Sequence, residues 1–237
     1  SDPIAHTGHY FISHTATGQA FTYARRDSAA SRMTPADVPE ALVRQASYFH
    51  ASGISQAISP SACDAVFHGM GIARAAGVRI SYDCNLRTRL WPLDRARAII
   101  EATIGVTDYF FPSLDEARVL WSLEAPEAIV DRAHRFGAKF VGLKLGADGA
   151  LLSDGTRRER VNGIAVGVVD ATGAGDCFVG AFLARLTKGD SVWEAGAFAN
   201  VAAALSTTGY GAIAPLPRPE AVWAKLGSKR MLWERMR

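Results

Sequence analysis

The sequence predicts an α/β protein, and three observations lead there. From residue 34 onward, short apolar runs alternate with longer stretches of helical periodicity, the pattern of strands joined by helical crossovers. Those stretches are punctuated by proline at their starts (Pro35, Pro60) and glycine at their ends (Gly77, Gly137), as helix termini favour. The polar residues able to do chemistry cluster where the apolar runs stop, at 83–89, 112–116, 144–148 and 170–176. Strands that alternate with helices pair in parallel through right-handed crossovers, giving a mostly parallel sheet with helices on both faces. Ligands in such sheets sit beyond the carboxyl ends of the strands.

The first 31 residues stand apart from this alternation. Extended stretches at 10–14 and 19–25, joined by a turn containing Gly18, read as a hairpin. The small-residue loop Asp27-Ser-Ala-Ala-Ser31 follows. The expected organisation is a flap of strands and loop over 1–31 and an α/β core over 32–237. Thr34-Pro35-Ala-Asp37 reads as a helix start, with a capping threonine, proline at the first position and an acid in the first turn. Strand 47–52 ends at Gly53, helix 60–76 is closed by Gly77, and strand 78–82 precedes helix 93–104. Strand 108–111 leads to helices 114–120 and 127–136. Strand 139–145 follows, and the run at 149–153 pairs with it or with its neighbour. An apolar strand is expected at 164–169, then helices at 174–186, 192–208 and 219–226.

Composition narrows the class. A chain of 237 residues with 49% apolar and 21% charged side chains buries a sizeable core, in the simplest case as one domain. Net charge is +3, and no basic run or basic-aromatic interleaving points to nucleic acid. The basic end, Lys229, Arg230, Arg235 and Arg237, reads as a solvated terminus. No apolar run reaches membrane-spanning length and no signal-peptide pattern opens the sequence. The cysteines Cys63, Cys84 and Cys177 are odd in number and lack a Cys-x-x-Cys spacing, which argues against a disulfide framework or zinc site. A cytoplasmic setting is expected. Cys177 falls at a predicted helix start, which lowers a thiol pKa, although its apolar neighbours make an inert buried thiol the plainer reading.

The most informative stretch is Asp170-Ala-Thr-Gly-Ala-Gly-Asp176. Gly173, Ala174 and Gly175 are small enough to let a ligand approach the backbone. The amides opening the next helix face such a ligand, and the helix dipole favours an anion there. A carboxylate at that place, Asp176, is suited to taking a proton from a hydroxyl that attacks a phosphoryl group. A tight turn with an acid in the first helical turn explains the same residues without any chemistry.

The run Asp170, Thr172 to Asp176 resembles the C-terminal signature of the ribokinase-like (pfkB-type) carbohydrate kinases. The resemblance implies a ribokinase-like α/β fold with a small β-strand lid, ATP and Mg²⁺ as cofactors, Asp176 as general base, and Gly173, Ala174 and Gly175 as an anion hole. Asp83-Cys-Asn-Leu-Arg87-Thr-Arg-Leu-Trp91 resembles the 2-keto-3-deoxygluconate kinase branch, in which Arg87 would grip the acid end of a sugar acid. Thr7-Gly-His-Tyr10 and the segment Tyr23 to Ala30 resemble the same branch, implying substrate contacts from Tyr10, Tyr23 and Arg25. Ala24 and Asp27 depart from that pattern, which has tyrosine and glycine there. Ser113 and Glu116 match the family's Asn-x-x-Glu motif, with serine for asparagine. Glu116 would then organise the metal through water, and a helix capping box accounts for the pair as well. Lys144, Gly146, Asp148 and Gly149 resemble the nucleotide loop, and Asn200, Gly209 and Ala212 the segments flanking the adenine.

These relatives begin with a glycine-rich substrate segment and the first strands of sheet and lid, so the resemblance implies a missing front. The implied partners are a sugar acid and ATP, with neither nucleic acid nor membrane. A two-stranded flap is marginal alone, so a homo-oligomer is expected. Another sugar or nucleoside kinase of the family, or a non-catalytic nucleotide- or sugar-acid-binding module, remains open at this point.

Overall fold

A computed structural model describes residues 2–15 and 18–227; the basic end named above lies outside them. The chain divides into two compact units, Ser1–Asp108 and Tyr109–Arg237. In the first, β1 (His9–Thr15) and β2 (Gly18–Ala24) form the expected antiparallel hairpin, with Tyr10 opposite Tyr23. The predicted helix after Thr34 is only a 3-10 turn, Pro35–Asp37, although its capping box forms. Pro39 follows at once and lacks an amide to continue the ladder, so α1 starts anew at Glu40–Gln45.

Parallel strands β3 (Tyr48–Ser52) and β4 (Arg79–Asp83) pair Tyr48 with Arg79 and Ser52 with Asp83. Between them lie α2 (Gly53–Ala57), which no periodicity announces, and α3 (Pro60–Ala75). Ser59 caps α3 by accepting the Ala62 amide at 3.0 Å, and Pro60 occupies its first position. Helix α4 (Leu93–Ile104) closes the unit. A buried polar chain fastens β4 to α2 and α4. The Tyr82 hydroxyl donates to Gln56 Oε1 at 2.6 Å, Gln56 Nε2 donates to Thr103 Oγ1 at 3.0 Å, and Thr103 donates on to the Ile99 carbonyl at 2.7 Å. Each buried polar group thereby keeps a partner, without which it would cost about 1–3 kcal/mol.

The second unit opens with β5 (Tyr109–Phe111), α5 (Leu114–Trp121) and α6 (Pro126–Phe136), the last closed by Gly137 in the left-handed region. Strand β6 (Phe140–Lys144) runs parallel to β5. Strands β7 (Gly149–Ser153) and β8 (Arg158–Asn162) turn back antiparallel. Helices α7 (Ala174–Leu186), α8 (Val192–Ser206) and α9 (Pro219–Leu226) complete it. Phe182 of α7 meets Phe111 and Phe140 with ring centres 5.0 and 5.2 Å apart. Burying one such ring stabilises by about 1.5–3 kcal/mol, so α7 is seated firmly on β5 and β6. One turn further on, Arg185 grips Asp190 through two hydrogen bonds of 2.7 and 2.8 Å and lies over the Phe198 and Trp223 rings of α8 and α9.

The strand expected at 164–169 is not formed; the segment is irregular. Val168 and Val169 are exposed, and the Val169 and Asp170 amides both donate to the Thr207 carbonyl, at 2.8 and 3.1 Å. The apolar run is therefore held by the end of α8 rather than by a strand. No helix among the described residues is long and apolar enough to cross a membrane.

Candidate active site

In the second unit three chain segments converge on the start of α7. Gly173 is its N-cap at φ 77°, with no capping side chain. The first helical bond runs from the Cys177 amide to the Gly173 carbonyl at 2.8 Å. The Ala174 amide donates to the Ala171 carbonyl at 3.2 Å. Of the three amides expected to face an anion, that one is engaged in the turn itself. Among the described residues no main-chain carbonyl takes those of Gly173 or Gly175. Asp176 follows, exposed in the first turn. Together with Gly173 and Cys177 it lines a cleft of about 420 Å³ whose other walls come from α8, α9 and the chain before α9.

Lys144 is the last residue of β6. Its amide donates to the Pro112 carbonyl at 2.9 Å, and its backbone bridges in parallel to Ser113. The Lys144 Nζ lies 3.2 Å from where a Cβ on Gly175 would stand, so its ammonium reaches the amino end of α7. A cation there shares its place with the positive end of the helix dipole, and an anion held among them would offset both. Ser113 caps α5 by accepting the Glu116 amide at 3.3 Å, while Glu116 Oε2 accepts the Ser113 amide at 2.8 Å. The capping box is thus real, and one carboxylate oxygen of Glu116 already has a partner. Among the described residues no three His, Cys, Asp or Glu side chains gather as a cage for a metal. A divalent ion here would take its ligands from phosphate oxygens and water, with a carboxylate behind them.

The remaining second-unit candidates fall into two places. Gly209 and Ala212 lie on the turn after α8, with Ala212 packed on Gly173 and the Gly211 amide donating to Asp170 Oδ2 at 2.9 Å. Gly146, Asp148 and Gly149 form the turn after β6, whose Asp148 amide returns to the Leu145 carbonyl while the Gly163 amide donates to the Asp148 carbonyl. Asn200 fastens α8 to the same region through Nδ2 and the Asn162 carbonyl, 3.0 Å apart. Asp170, read in the sequence as part of the signature but given no role of its own, is buried and accepts the Thr172 amide at 2.8 Å as well as that of Gly211 at 2.9 Å. The thiol of Cys177 follows its apolar surroundings, the plainer of the two readings the sequence offers. Burial pushes its pKa up, the Asp176 carboxylate adds to the rise, and a hydrogen bond with Ser206 only partly opposes it. The helix start does not prevail.

In the first unit, the Arg25 guanidinium lies over the Tyr10 ring, 5.5 Å from its centre, a cation–π arrangement that holds the cation on the hairpin. Tyr23 faces Tyr10 in register and is described in its backbone alone. Asp27 is exposed with φ 57°, the left-handed conformation in which glycine would be at ease and Asp is tolerated. Arg87 sits half-buried in the loop after β4, its carbonyl accepting the Leu90 amide at 2.8 Å. Among the described residues no hydrogen bond or ion pair engages its guanidinium.

A carboxylate, two amides without main-chain acceptors and an ammonium lie together at one helix start, an arrangement suited to phosphoryl transfer. The chain belongs to the pfkB family of carbohydrate kinases, whose profile matches residues 2–219. It is 36% identical over 217 residues to a 2-dehydro-3-deoxygluconokinase of Bacillus subtilis (strain 168), covering 90% of this chain and 67% of that protein. It is 35% identical over 234 residues to a fructokinase-2 of Oryza sativa subsp. japonica, covering 91% and 67%. A putative ribokinase II from E. coli, solved in complex with ATP and Mg²⁺, superimposes with a TM-score of 0.85 at 29% identity, over 94% of this chain and 71% of that one. The fold is accordingly ribokinase-like.

Proposed function

We propose that this sugar kinase transfers the γ-phosphoryl group of ATP to the terminal hydroxyl of a sugar acid, 2-keto-3-deoxygluconate (2-dehydro-3-deoxygluconate), giving the 6-phosphate. Asp176 accepts the hydroxyl proton. The freed oxygen bonds to the γ-phosphorus as the bond from that phosphorus to the ADP oxygen breaks. The Gly173 and Gly175 amides and the Lys144 ammonium hold the charge on the group in transit. Mg²⁺, bound with ATP, would draw charge from the phosphate oxygens, with Glu116 orienting its waters. Arg25 and Arg87 supply cations for the carboxylate of the acceptor, beside Tyr10 and Tyr23. The turn at 146–149 together with Asn200, Gly209 and Ala212 would receive the rest of the nucleotide.

The observation that carries this reading is the placement of Asp176, exposed, lining a cleft and one residue beyond an amide with no main-chain acceptor. The substrate is supported by the 36% identity to a 2-dehydro-3-deoxygluconokinase and by the two arginines. The 35% identity to a fructokinase favours a neutral hexose as the second reading. The test is ATP-dependent phosphorylation across sugar acids and neutral sugars. Asp176→Asn is expected to lower turnover by roughly 10²–10⁴ with ADP affinity little changed. Full turnover in that variant overturns the base, and preference for a neutral hexose overturns the sugar acid.

A further inference from the structure

Both ring nitrogens of His6 face backbone carbonyls. Nδ1 lies 2.8 Å from the Thr7 oxygen and Nε2 lies 3.2 Å from the Arg26 oxygen. A carbonyl only accepts, and a neutral imidazole carries one N–H and one lone pair. The neutral ring therefore makes one of these bonds and turns a lone pair toward the other oxygen, whereas the imidazolium donates to both. The pair of bonds ties the chain ahead of β1 to the loop after β2. The same segments meet twice more. The Ala29 amide, opening the 3-10 turn Ala29–Arg32, donates to the His6 carbonyl at 2.9 Å. A Cβ on Gly8 would stand 3.1 Å from Oγ of Ser28, a residue 1% exposed, and 3.6 Å from Arg25 Cγ. His9 differs, since its Nδ1 lies 3.0 Å from the Thr7 oxygen and makes that one bond whether the ring is neutral or charged.

We propose that His6 is a positioning residue whose imidazolium staples segment 6–10 to loop 25–29, and so sets Tyr10 and Arg25 for the acceptor. This rests on the reading of those two residues as acceptor contacts and adds the group that holds them in place. Histidine changes charge between about pH 5 and 8. The protonated ring favours the stapled arrangement, so the staple is complete at the acid end of that range and is lost as pH rises. The other titratable or charged groups on the elements packed around His6 are His9, with ring centres 5.9 Å apart, Tyr10, Arg25, Arg26 and Asp27, and Arg32 paired with Asp2 at 3.2 Å.

Two measurements on the parent protein and on His6→Gln test this; His6 is exposed, so the substitution leaves the core untouched. The first is the KM for 2-keto-3-deoxygluconate across about pH 5.5 to 8.5. The ratio of variant to parent cancels titrations common to both. It is expected to fall from about three- to tenfold at the acid end, the weight of one hydrogen bond, to about one at the alkaline end, with the ratio of turnover numbers near one throughout. A KM ratio that does not change with pH overturns the proposal, and an equal trend in His9→Gln overturns the assignment to His6. The second is exchange of the Ala29 amide without any acceptor, followed by NMR and scaled by the intrinsic rate at each pH. Protection in the parent is expected to exceed that in the variant by a similar factor at the acid end and to match it at the alkaline end. Equal protection at every pH overturns the staple, whatever the substrate. Arg25→Ala separates the two layers. If it raises the acceptor KM and His6→Gln does not, the positioning role falls alone; if it leaves KM unchanged, the acceptor reading beneath it falls as well.

Discussion

Gly173 lies against Ala212, with room for a hydrogen and no more: a Cβ on the glycine would stand 2.8 Å from the alanine Cβ and 3.2 Å from its Cα. The glycine also sits at φ 77°, where an L side chain costs roughly 1–2 kcal/mol. Gly173→Ala is therefore expected to lower stability by about 2–4 kcal/mol, combining that strain with the overpacking penalty. The alanine would also displace the anion amides, so turnover should drop at least about tenfold in protein that still folds. Urea denaturation and initial rates on the same preparation check both.

The capping box at Ser113 separates a structural role from a metal-related one. Ser113→Ala removes the hydroxyl that accepts the Glu116 amide and should cost about 1 kcal/mol, whereas Ser113→Asn preserves a good cap and should cost less than about half of that. If Ser113 also acts toward metal-bound water, the two variants should differ in the Mg²⁺ concentration giving half-maximal rate. Denaturation midpoints and a Mg²⁺ titration of the rate read the two roles separately.

Cys177 lines the cleft beside Asp176, and its pKa is raised by burial first and by that carboxylate second. A raised pKa leaves less thiolate at any given pH, and thiolate is the form that is alkylated. Iodoacetamide at neutral pH is thus expected to label Cys177 more slowly than free cysteine, with the rate still climbing at a pH where free cysteine has levelled off. Peptide mapping by mass spectrometry separates it from Cys63 and Cys84. Labelling as fast as free cysteine would contradict the burial effect.

The alternation of strand and helix was readable because its punctuation is local. Ser59 and Pro60 open α3, Gly137 closes α6, and Leu93–Ile104 and Pro219–Leu226 carry their own periodicity. The misreadings have physical causes. Residues 164–169 are apolar enough for a strand, but the amides at their end go to Thr207, a partner that no local pattern reveals. Strand β8 went unseen because its residues are mostly polar and alternate between exposed and half-exposed. At the site, the small-residue turn and Asp176 were evident in the motif. The second bond of Asp170 was not, since Gly211 lies 41 positions away. Asp27 shows the converse: it stands where the resembling pattern has glycine, and its positive φ gives the backbone reason why glycine suits the place.

Helix α7 carries Asp176 in its first turn and is moored at Phe178, at Phe182 and at the Arg185–Asp190 clamp. From Asp176 to Arg185 is roughly 14 Å along the axis. The helix thus behaves as a rod held near its start by Phe178 and pinned again at its far tip, so changes in the far pin tilt the working end in small steps without altering any group that meets the reactants. Variation at Asp190, Phe198 or Trp223 would then offer a lineage a dial for turnover, adjustable in small steps while the chemistry itself stays fixed.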